Sequence, residues 1–292
     1  MTFLPDELLG AARAEIARVE QLGSAHDAVH AGVRVRWRRF GDPRMSRDTP
    51  PLVLLHGGHG SWMHWLRNVE ALSADRVLWL PDMPGFHDSD VPRAVAAGEA
   101  ALDPLLEALG GTLDALIGAG TPIDLGGFSF GGLTAAKFAA ARGAVRKLAL
   151  LGSGGHGTQR RMAVEMINWR AAPDRAAEVA ALRHNLAALM LHDPAAIDAL
   201  AFAIHDISCH GTRFRSKEVS QAGGLQRALA THAGPQLLVW GEFDVTADPR
   251  PLVAQLTDVH SQRSGAVVDG AGHWVQYERA DEINRLLVDF LA

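Results

Sequence analysis

The sequence is poor in cysteine, in long apolar runs and in excess basic charge, and each shortage excludes a class of protein. Cys209 is the single cysteine of the 292 residues, so no internal disulfide can form and an oxidising compartment is not indicated. No stretch approaches the ~20 consecutive apolar residues of a membrane span. A formal net charge of −5 provides no concentrated basic face for the phosphates of a nucleic acid.

The N-terminal segment is acidic where a signal peptide would be basic. Asp6, Glu7, Glu15 and Glu20 lie among apolar residues of the segment 1–23, which predicts an amphipathic helix. We therefore expect a cytoplasmic protein whose partner is a small-molecule substrate, with no nucleic-acid partner and no membrane partner. The sequence leaves open whether the chain forms a homo-oligomer.

The order of apolar segments predicts an α/β fold. Residues 29–40 alternate between apolar residues and arginines, which predicts a half-exposed strand at an antiparallel edge. Short continuous apolar runs predict strands that helices cover on both faces; they lie at 52–55, 77–80, 123–125, 148–151, 237–240 and 266–268. Helix-length segments, such as 101–117 and 133–142, alternate with them. The prediction is a doubly wound, mostly parallel sheet with helices on both faces.

One interval interrupts this alternation. Residues 154–233 contain no convincing strand, only stretches with helical composition at 162–169, 176–191 and 194–204. An insertion of this kind is expected to pack as a helical cap over the C-terminal ends of the strands, where α/β sheets bind ligands. We therefore predict a core domain from residues 1–153 and 234–292, with residues 154–233 as the inserted cap.

The strongest local signal is a Gly-x-Ser-x-Gly motif with Ser129 at its centre. It consists of Gly127, Phe128, Ser129, Phe130 and Gly131, and it lies between an apolar run and a helix-forming run. A serine on such a tight strand-to-helix turn needs small neighbours, because side chains two positions away would collide with adjacent elements. A chance glycine-rich turn is the alternative in a chain with 30 glycines. The context favours Ser129 as a nucleophile.

A serine nucleophile needs a base and an acid that orients the base. In the order Ser…Asp…His both partners lie downstream of Ser129. His273 follows the predicted strand 266–268 in a glycine-containing loop, although an ordinary histidine could also stand there. Asp244 follows the strand 237–240 in a similar loop, with Glu242 and Asp248 as competing acids. We predict the catalytic residues Ser129, Asp244 and His273.

A third loop, His56-Gly57-Gly58, follows the strand 52–55. Backbone N–H groups without bulky side chains can converge there on a developing oxyanion, and we expect Gly58 and Phe130 to provide the two donors. His56, His59 and His64 suggest a zinc site as the alternative. No cysteine accompanies these histidines, and the glycines favour the oxyanion hole. We therefore predict no metal and no cofactor.

Together these motifs resemble the α/β-hydrolase superfamily. The resemblance covers nearly the whole chain and includes, in order, residues 56–58, 82–89, 127–131, 241–244 and 272–274. It implies the α/β-hydrolase fold, a Ser-His-Asp triad and hydrolysis. It leaves the substrate open, because one fold supports many functions.

The C-terminal segment carries a narrower resemblance. Residues 272–278, followed by 280–284, resemble the carbon–carbon hydrolases that cleave ring-fission products of aromatic degradation. The resemblance implies that Trp274, next to the catalytic histidine, lines the substrate pocket. It also implies a cap arginine that binds the acid group of the substrate. Arg213 or Arg215 could serve, and the alternative for both is a solvated basic edge.

Two departures separate the chain from that narrower family. Phe128 stands where the family usually has an asparagine before the nucleophile, and residues 58–61 replace its Ser-Gly-Pro-Gly loop. The apolar Phe128, Phe130 and Trp274 suit an ester or an aromatic group equally well. We therefore expect a serine hydrolase acting on a carboxylic ester or related acyl bond. A carbon–carbon hydrolase is the first alternative, and a non-catalytic binding protein on the same scaffold is the second.

Overall fold

The described residues of the computed structural model, 6–47, 49–93 and 102–292, build one eight-stranded sheet. Its strands are β1 (Ser24–His30), β2 (Val33–Phe40), β3 (Leu52–Leu55), β4 (Leu78–Pro81), β5 (Ile123–Phe128), β6 (Val145–Leu151), β7 (Gln236–Gly241) and β8 (Arg263–Val268). Their spatial order is β1-β2-β4-β3-β5-β6-β7-β8. The strand β2 is antiparallel to both of its neighbours, and the other pairs are parallel. This confirms the predicted mostly parallel sheet. The strand predicted at 29–40 is wrong in its start and its position: β2 begins at Val33, residues 29–30 belong to β1, and β1 takes the antiparallel edge.

The sequence did not predict β1. This outermost strand carries a largely polar sequence and is mostly exposed, so it lacks the apolar pattern on which the other predictions relied. It is held by the full ladder that it forms with β2. By contrast, β3, β5 and β7 are buried along their whole length, as continuous apolar runs in a covered parallel sheet should be.

Helices cover both faces of the sheet, as predicted. They are α1 (Asp6–Gln21), α2 (Val69–Leu72), α3 (Asp103–Ile117), α4 (Phe130–Arg142), α5 (Arg175–Asn185), α6 (Ala199–His210), α7 (Ser216–Gln221), α8 (Leu225–Thr231), α9 (Pro249–Thr257), α10 (Val275–Glu278) and α11 (Ala280–Leu291). On one face α3, α4 and α9 bury an apolar cluster against the strands. On the other face α1, α2 and α11 contribute to a second cluster. The first five residues of the predicted N-terminal helix, and residue 101 of the predicted helix 101–117, lie outside the described residues.

The interval 154–233 contains no strand, and the helices α5 to α8 lie within it. The predicted helix 162–169 is wrong, because this segment is irregular up to a short 3₁₀ turn, Trp169–Ala171. The side chain of Asn185 explains why: it binds both the N–H and the C=O of Ile167 at 2.8 Å and so holds the segment in an open conformation. The helix α8 packs on α4 and adds Leu225 and Leu229 to the first apolar cluster. The division into core and cap stays a prediction.

The helices of the described residues also bear on the membrane question. None of them is both long enough and apolar enough to cross a membrane.

Candidate active site

Ser129 lies at the turn between β5 and α4 in a strained backbone conformation. Its φ of 56° is in the left-handed region, which residues with a side chain rarely adopt. The glycines around it are required by close packing. A Cβ on Gly127 would lie 2.1 Å from the Gly131 carbonyl oxygen, and a Cβ on Gly131 would lie 2.3 Å from the His56 carbonyl oxygen. The turn therefore holds the Ser129 side chain at the C-terminal edge of the sheet.

The structure brings the three predicted catalytic residues together. Ser129 Oγ lies 2.9 Å from His273 Nε2, and His273 Nδ1 lies 2.8 Å from Asp244 Oδ2. His273 and Asp244 are both buried. In this arrangement the serine hydroxyl donates to the imidazole, which in turn donates to the carboxylate. Such a chain can remove the serine proton and hold the imidazole in the required tautomer.

Asp244 is well placed to remain ionised. Burial alone would raise its pKa, but the neighbouring His273 and hydrogen bonds from Thr246 hold that pKa below its usual range. Thr246 donates to Asp244 Oδ1 through its backbone N–H at 2.8 Å and through its hydroxyl at 2.7 Å. The second carboxylate oxygen is thereby left to His273. The competing acids lie elsewhere: Glu242 pairs with Arg250, and the exposed Asp248 pairs with Arg161.

The loop of residues 56–61, here called the oxyanion loop, runs beside Ser129. Gly58 and Phe130 both line the cavity into which Ser129 opens. Phe130 is the first residue of α4, so its N–H belongs to the first helical turn, where the N–H groups have no acceptor within the helix. A Cβ on Gly58 would lie 2.4 Å from the Ser216 hydroxyl oxygen, so a larger residue at this position would have to displace that side chain.

His56 anchors this loop from below. Its Nδ1–H donates to the Gly57 carbonyl oxygen at 2.8 Å, and its Nε2 accepts the N–H of Met83 at 2.9 Å. Complete burial lowers the pKa of His56 to about 4, so the ring is neutral at pH 7. Both ring nitrogens are thus used by the backbone, and neither is left as a metal ligand.

A cavity of about 420 Å³ opens above Ser129 and His273. The apolar part of its wall consists of Phe128, Phe130, Met162, Met166, Ile167, Trp169, Leu189 and Met190. A smaller recess of about 240 Å³ meets it at Ser129, Arg160, Ser220 and His273, with polar walls that include His156, Thr158 and Thr246. The predicted pocket residue Phe128 therefore lies in the cavity wall, 5.0 Å from the His273 ring.

Three other predicted pocket residues do not belong to this wall. Arg213 donates to the backbone carbonyls of Gly211, His87 and Ser89 and supports a surface turn, which corrects its prediction as a substrate ligand. Arg215 is exposed and precedes α7, and it is not among the residues that line the cavity, although the next residue, Ser216, is.

Trp274 requires the same correction. It is fully buried beneath the loop that carries His273. Its Nε1 donates to the His64 carbonyl oxygen at 3.0 Å, and its ring stacks on Tyr277. The resemblance identified the correct segment but did not establish which way the side chain points.

Sequence reasoning missed the cationic residues that do reach the cavity. Arg160 lines both the cavity and the polar recess, and Lys217 lines the cavity. His59, in a left-handed conformation with φ of 54°, lies in the same wall. The one available signal was the pair Arg160-Arg161 at the start of the irregular segment. Nothing in the sequence distinguishes Arg160 from Arg161, which pairs with Asp248 at the surface.

Among the described residues, one group could offer three ligand atoms to a metal ion: Asp82, His87 and Asp88. Arg38 already occupies this group, because its guanidinium donates to Asp82 and to Asp88 at 2.8 Å each. Burial would lower the pKa of His87, but the two carboxylates outweigh this effect and raise it to about 9. The fixed cations make the group an ion-pair network that braces the loop after β4.

Comparison with known proteins supports the fold and the class. The family model of the alpha/beta hydrolase fold matches residues 50–280. A dihydrolipoyllysine-residue acetyltransferase component of an acetoin cleaving system from Pseudomonas putida is 30% identical over 92% of this chain and 70% of its own length. A 2-hydroxy-6-oxo-6-phenylhexa-2,4-dienoate hydrolase from Burkholderia cepacia is 31% identical over 82% of this chain and 87% of its own. The carboxylesterase CesB from Bacillus subtilis superposes with a TM-score of 0.72 at 17% identity, over 98% and 99% of the two chains.

Proposed function

This chain belongs to the α/β-hydrolase fold family, and we propose that it is a serine hydrolase that cleaves a carboxylic ester or related acyl bond. Its substrate is small and has an apolar or aromatic portion. The observation that carries the proposal is the hydrogen-bonded series Ser129–His273–Asp244 opening into a cavity of about 420 Å³ with a largely apolar wall.

The proposed reaction follows from the geometry of these groups. Ser129 Oγ attacks the acyl carbon while His273 Nε2 takes the hydroxyl proton, and Asp244 stabilises the resulting imidazolium. The backbone N–H groups of Gly58 and Phe130 hold the developing oxyanion, and each such donor contributes about 3 kcal/mol to transition-state stabilisation. His273 then protonates the leaving group. Water, activated by the same histidine, releases the acid and restores Ser129.

A carbon–carbon hydrolase is the second candidate, and Arg160 favours it. This arginine stands at the junction of the cavity and the polar recess, beside Ser129, where it could bind the carboxylate of a dienoate. One relative is named for hydrolysis of such a compound. The reaction requires the dienoate to be protonated on carbon first, which converts it into a vinylogous 1,5-diketone. Nucleophilic attack on the remote carbonyl then breaks the carbon–carbon bond.

The test for a nucleophile compares wild type with Ser129→Ala. A fluorophosphonate probe is expected to label the wild type covalently and to leave Ser129→Ala unlabelled, because only an activated serine reacts. An unlabelled wild type would refute the nucleophile and would favour a non-catalytic binding protein on this scaffold.

Assays with two different substrates identify which bond the protein cleaves. One assay follows the visible absorbance of 2-hydroxy-6-oxo-6-phenylhexa-2,4-dienoate, and the other follows release of p-nitrophenol from a p-nitrophenyl ester. Ester cleavage with no Ser129-dependent loss of dienoate colour is the expected result. Loss of colour with the higher kcat/KM would replace the esterase proposal with the second candidate.

A further inference from the structure

A buried histidine that takes no part in the proton transfers lies directly beneath the active site. His64 is in the 3₁₀ segment Trp62–Asn68 and is 1% exposed. Its ring contacts Phe128, which precedes the nucleophile, and Trp274, which follows the catalytic histidine. Its carbonyl oxygen accepts the Trp274 indole N–H at 3.0 Å. One side chain thus contacts the segments that carry Ser129 and His273.

The same side chain is bound to the oxyanion loop. His64 Nδ1 lies 3.2 Å from the backbone nitrogen of Gly57. A backbone N–H can only donate, so Nδ1 must be the unprotonated nitrogen and the ring proton must lie on Nε2. Desolvation and the neighbouring histidines lower the pKa of His64 well below its usual value, which keeps the acceptor available at pH 7.

The orientation of the Gly57–Gly58 peptide follows from these contacts. His64 holds the Gly57 N–H, which belongs to the preceding His56–Gly57 peptide. His56 donates to the Gly57 carbonyl oxygen, at 2.8 Å, which belongs to the Gly57–Gly58 peptide. The two contacts together fix the backbone on both sides of Gly57. In a trans peptide the carbonyl and the following N–H point in opposite directions. With the Gly57 carbonyl turned toward His56, the Gly58 N–H is turned away from His56. Gly58 is also the residue of this pair that lines the cavity beside Ser129.

The glycines of the oxyanion loop pack closely against the His64 ring. A Cβ on Gly60 would lie 2.4 Å from His64 Cε1, and a Cβ on Gly57 would lie 3.3 Å from Nδ1. His64 Nε2 finds no hydrogen-bond partner among the described residues. A buried polar atom without a partner is unfavourable. An apolar residue of similar size would avoid this penalty. Among the described residues, the hydrogen bond that the His64 ring does form is the one to Gly57 of the oxyanion loop.

We propose that His64 is a positioning residue: by accepting the Gly57 N–H it fixes the backbone before Gly57, so that the next peptide, held by His56, presents the Gly58 N–H to the oxyanion. The inference rests on the proposed attack of Ser129 on an acyl carbon. Because the oxyanion exists only in the transition state and the tetrahedral intermediate, loss of this alignment affects kcat and not substrate binding.

The variant His64→Leu removes the acceptor and keeps most of the volume. With p-nitrophenyl butyrate we expect kcat to fall about 10- to 100-fold, less than the loss for deletion of an oxyanion donor, with KM nearly unchanged. The inhibition constant of butaneboronic acid, which forms a tetrahedral adduct on serine, should rise by the same factor. The inhibition constant of butyrate, a ground-state product, should not change. The variant His64→Asn, whose amide oxygen can take the place of Nδ1, should recover much of the lost kcat.

His232→Leu is the matched control. His232 is also buried with an unpartnered Nε2, but it lies near the N-terminal end of β7, at the opposite edge of the sheet. The kcat and the boronate affinity of His232→Leu should stay within twofold of the wild-type values. A folded His64→Leu with unchanged kcat and boronate affinity would overturn the proposal, as would a His64→Asn no more active than His64→Leu.

A measurement on the wild type decides the case even if His64→Leu does not fold. The nitrogen chemical shifts of the His64 ring should show a neutral imidazole with its proton on Nε2 and an unprotonated Nδ1 at pH 7. A proton on Nδ1 would exclude the bond to Gly57 and refute the proposal. Failure of this inference leaves fluorophosphonate labelling of Ser129 intact, whereas failure of the proposed function abolishes that labelling.

Discussion

The floor and the roof of the cavity are built in different ways. The floor, which includes Ser129 and His273, rests on core residues that are bound on several sides: Asp244 accepts from Thr246 and His273, and His56 uses both ring nitrogens. The roof comes from the segment 160–220 and combines apolar side chains, such as Met162 and Met166, with polar or charged ones, such as Arg160 and Lys217.

This difference separates chemistry from selectivity. Proton transfer requires distances fixed to within a few tenths of an ångström, which a hydrogen-bonded floor provides. Flexible methionines adapt to more than one apolar shape, so the roof can accept related substrates. We therefore expect substitutions in the floor to change kcat and substitutions in the roof to change KM.

The largest effect is expected at the acid of the floor. Asp244→Asn keeps the size of the side chain, but its amide favours the wrong tautomer of His273, so kcat should fall on the order of 10³- to 10⁴-fold. The measurement is kcat for a p-nitrophenyl ester. The control Asp248→Asn alters the competing acid, which is exposed and paired with Arg161. If both variants lost the same activity, Asp244 would not be the orienting acid.

Two glycine-to-alanine substitutions compare how rigidly the floor and the roof are packed. A Cβ on Gly131 meets backbone oxygens of the floor, at 2.3 Å from His56 and 2.5 Å from Leu55, so Gly131→Ala should lower the free energy of unfolding by about 3 kcal/mol or more. A Cβ on Gly58 meets a side-chain hydroxyl of the roof, Ser216 Oγ at 2.4 Å, which can move, so Gly58→Ala should cost about 1 kcal/mol. Urea denaturation measures both. Equal costs would show that the roof is as rigid as the floor.

The floor and the roof each contain a buried neutral histidine, His56 beneath the floor and His205 in the segment of the roof. Burial lowers the pKa of His56 and of His205 to about 4, below the ~6.5 of an unfolded chain. The unfolded state therefore binds more protons between these values, and stability present above pH 6.5 is lost as the pH falls toward 4. Each histidine should contribute a loss of about 2 kcal/mol between pH 7 and pH 5.

Urea midpoints across this pH range test the prediction. The variant His205→Phe should show a shallower decrease, because the contribution from the roof is removed while that of His56 remains. A decrease as steep as that of the wild type would exclude His205 as a source of the acid sensitivity.

The smallest effect on activity is expected at Arg160, a cationic side chain of the roof. Arg160→Met should raise KM for an anionic substrate about tenfold, equivalent to ~1.4 kcal/mol, and leave KM for a neutral ester unchanged. Arg161→Met removes the same charge from the neighbouring position, which lies at the surface against Asp248. Initial rates for a charged and an uncharged p-nitrophenyl ester provide the comparison. Equal effects of the two variants would indicate long-range electrostatics and not a contact in the cavity.

The parts of the floor that sequence reasoning located share one property: each follows a parallel strand that an apolar run predicts, buried in β5 and β7 and partly exposed in the edge strand β8. Ser129, Asp244 and His273 come directly after apolar runs, and parallel strands bring their C-terminal ends to one edge of the sheet. The local glycines marked the turns. Strand β1 was missed because a polar edge strand is held by its ladder to β2, which no local pattern reveals.

The roof could not be predicted in the same way. The composition of residues 162–169 favours a helix, but the amide of Asn185 binds Ile167 and keeps the segment open. Arg213 turned toward backbone carbonyls, and Trp274 turned into the core. Each outcome depends on a contact with a residue far along the chain.

The sequence by itself determined the fold class, the glycine-flanked turn at Ser129 and the order of the proposed catalytic residues, because these depend on local apolar runs and on glycines at fixed offsets. Only the tertiary structure decided which cation reaches the cavity, which aromatic side chain lines it, and that His64 holds the oxyanion loop. The physical reason is that backbone conformation is set largely by neighbours in sequence. The direction of a side chain is set by whatever hydrogen-bond partners and free volume the folded chain brings to it.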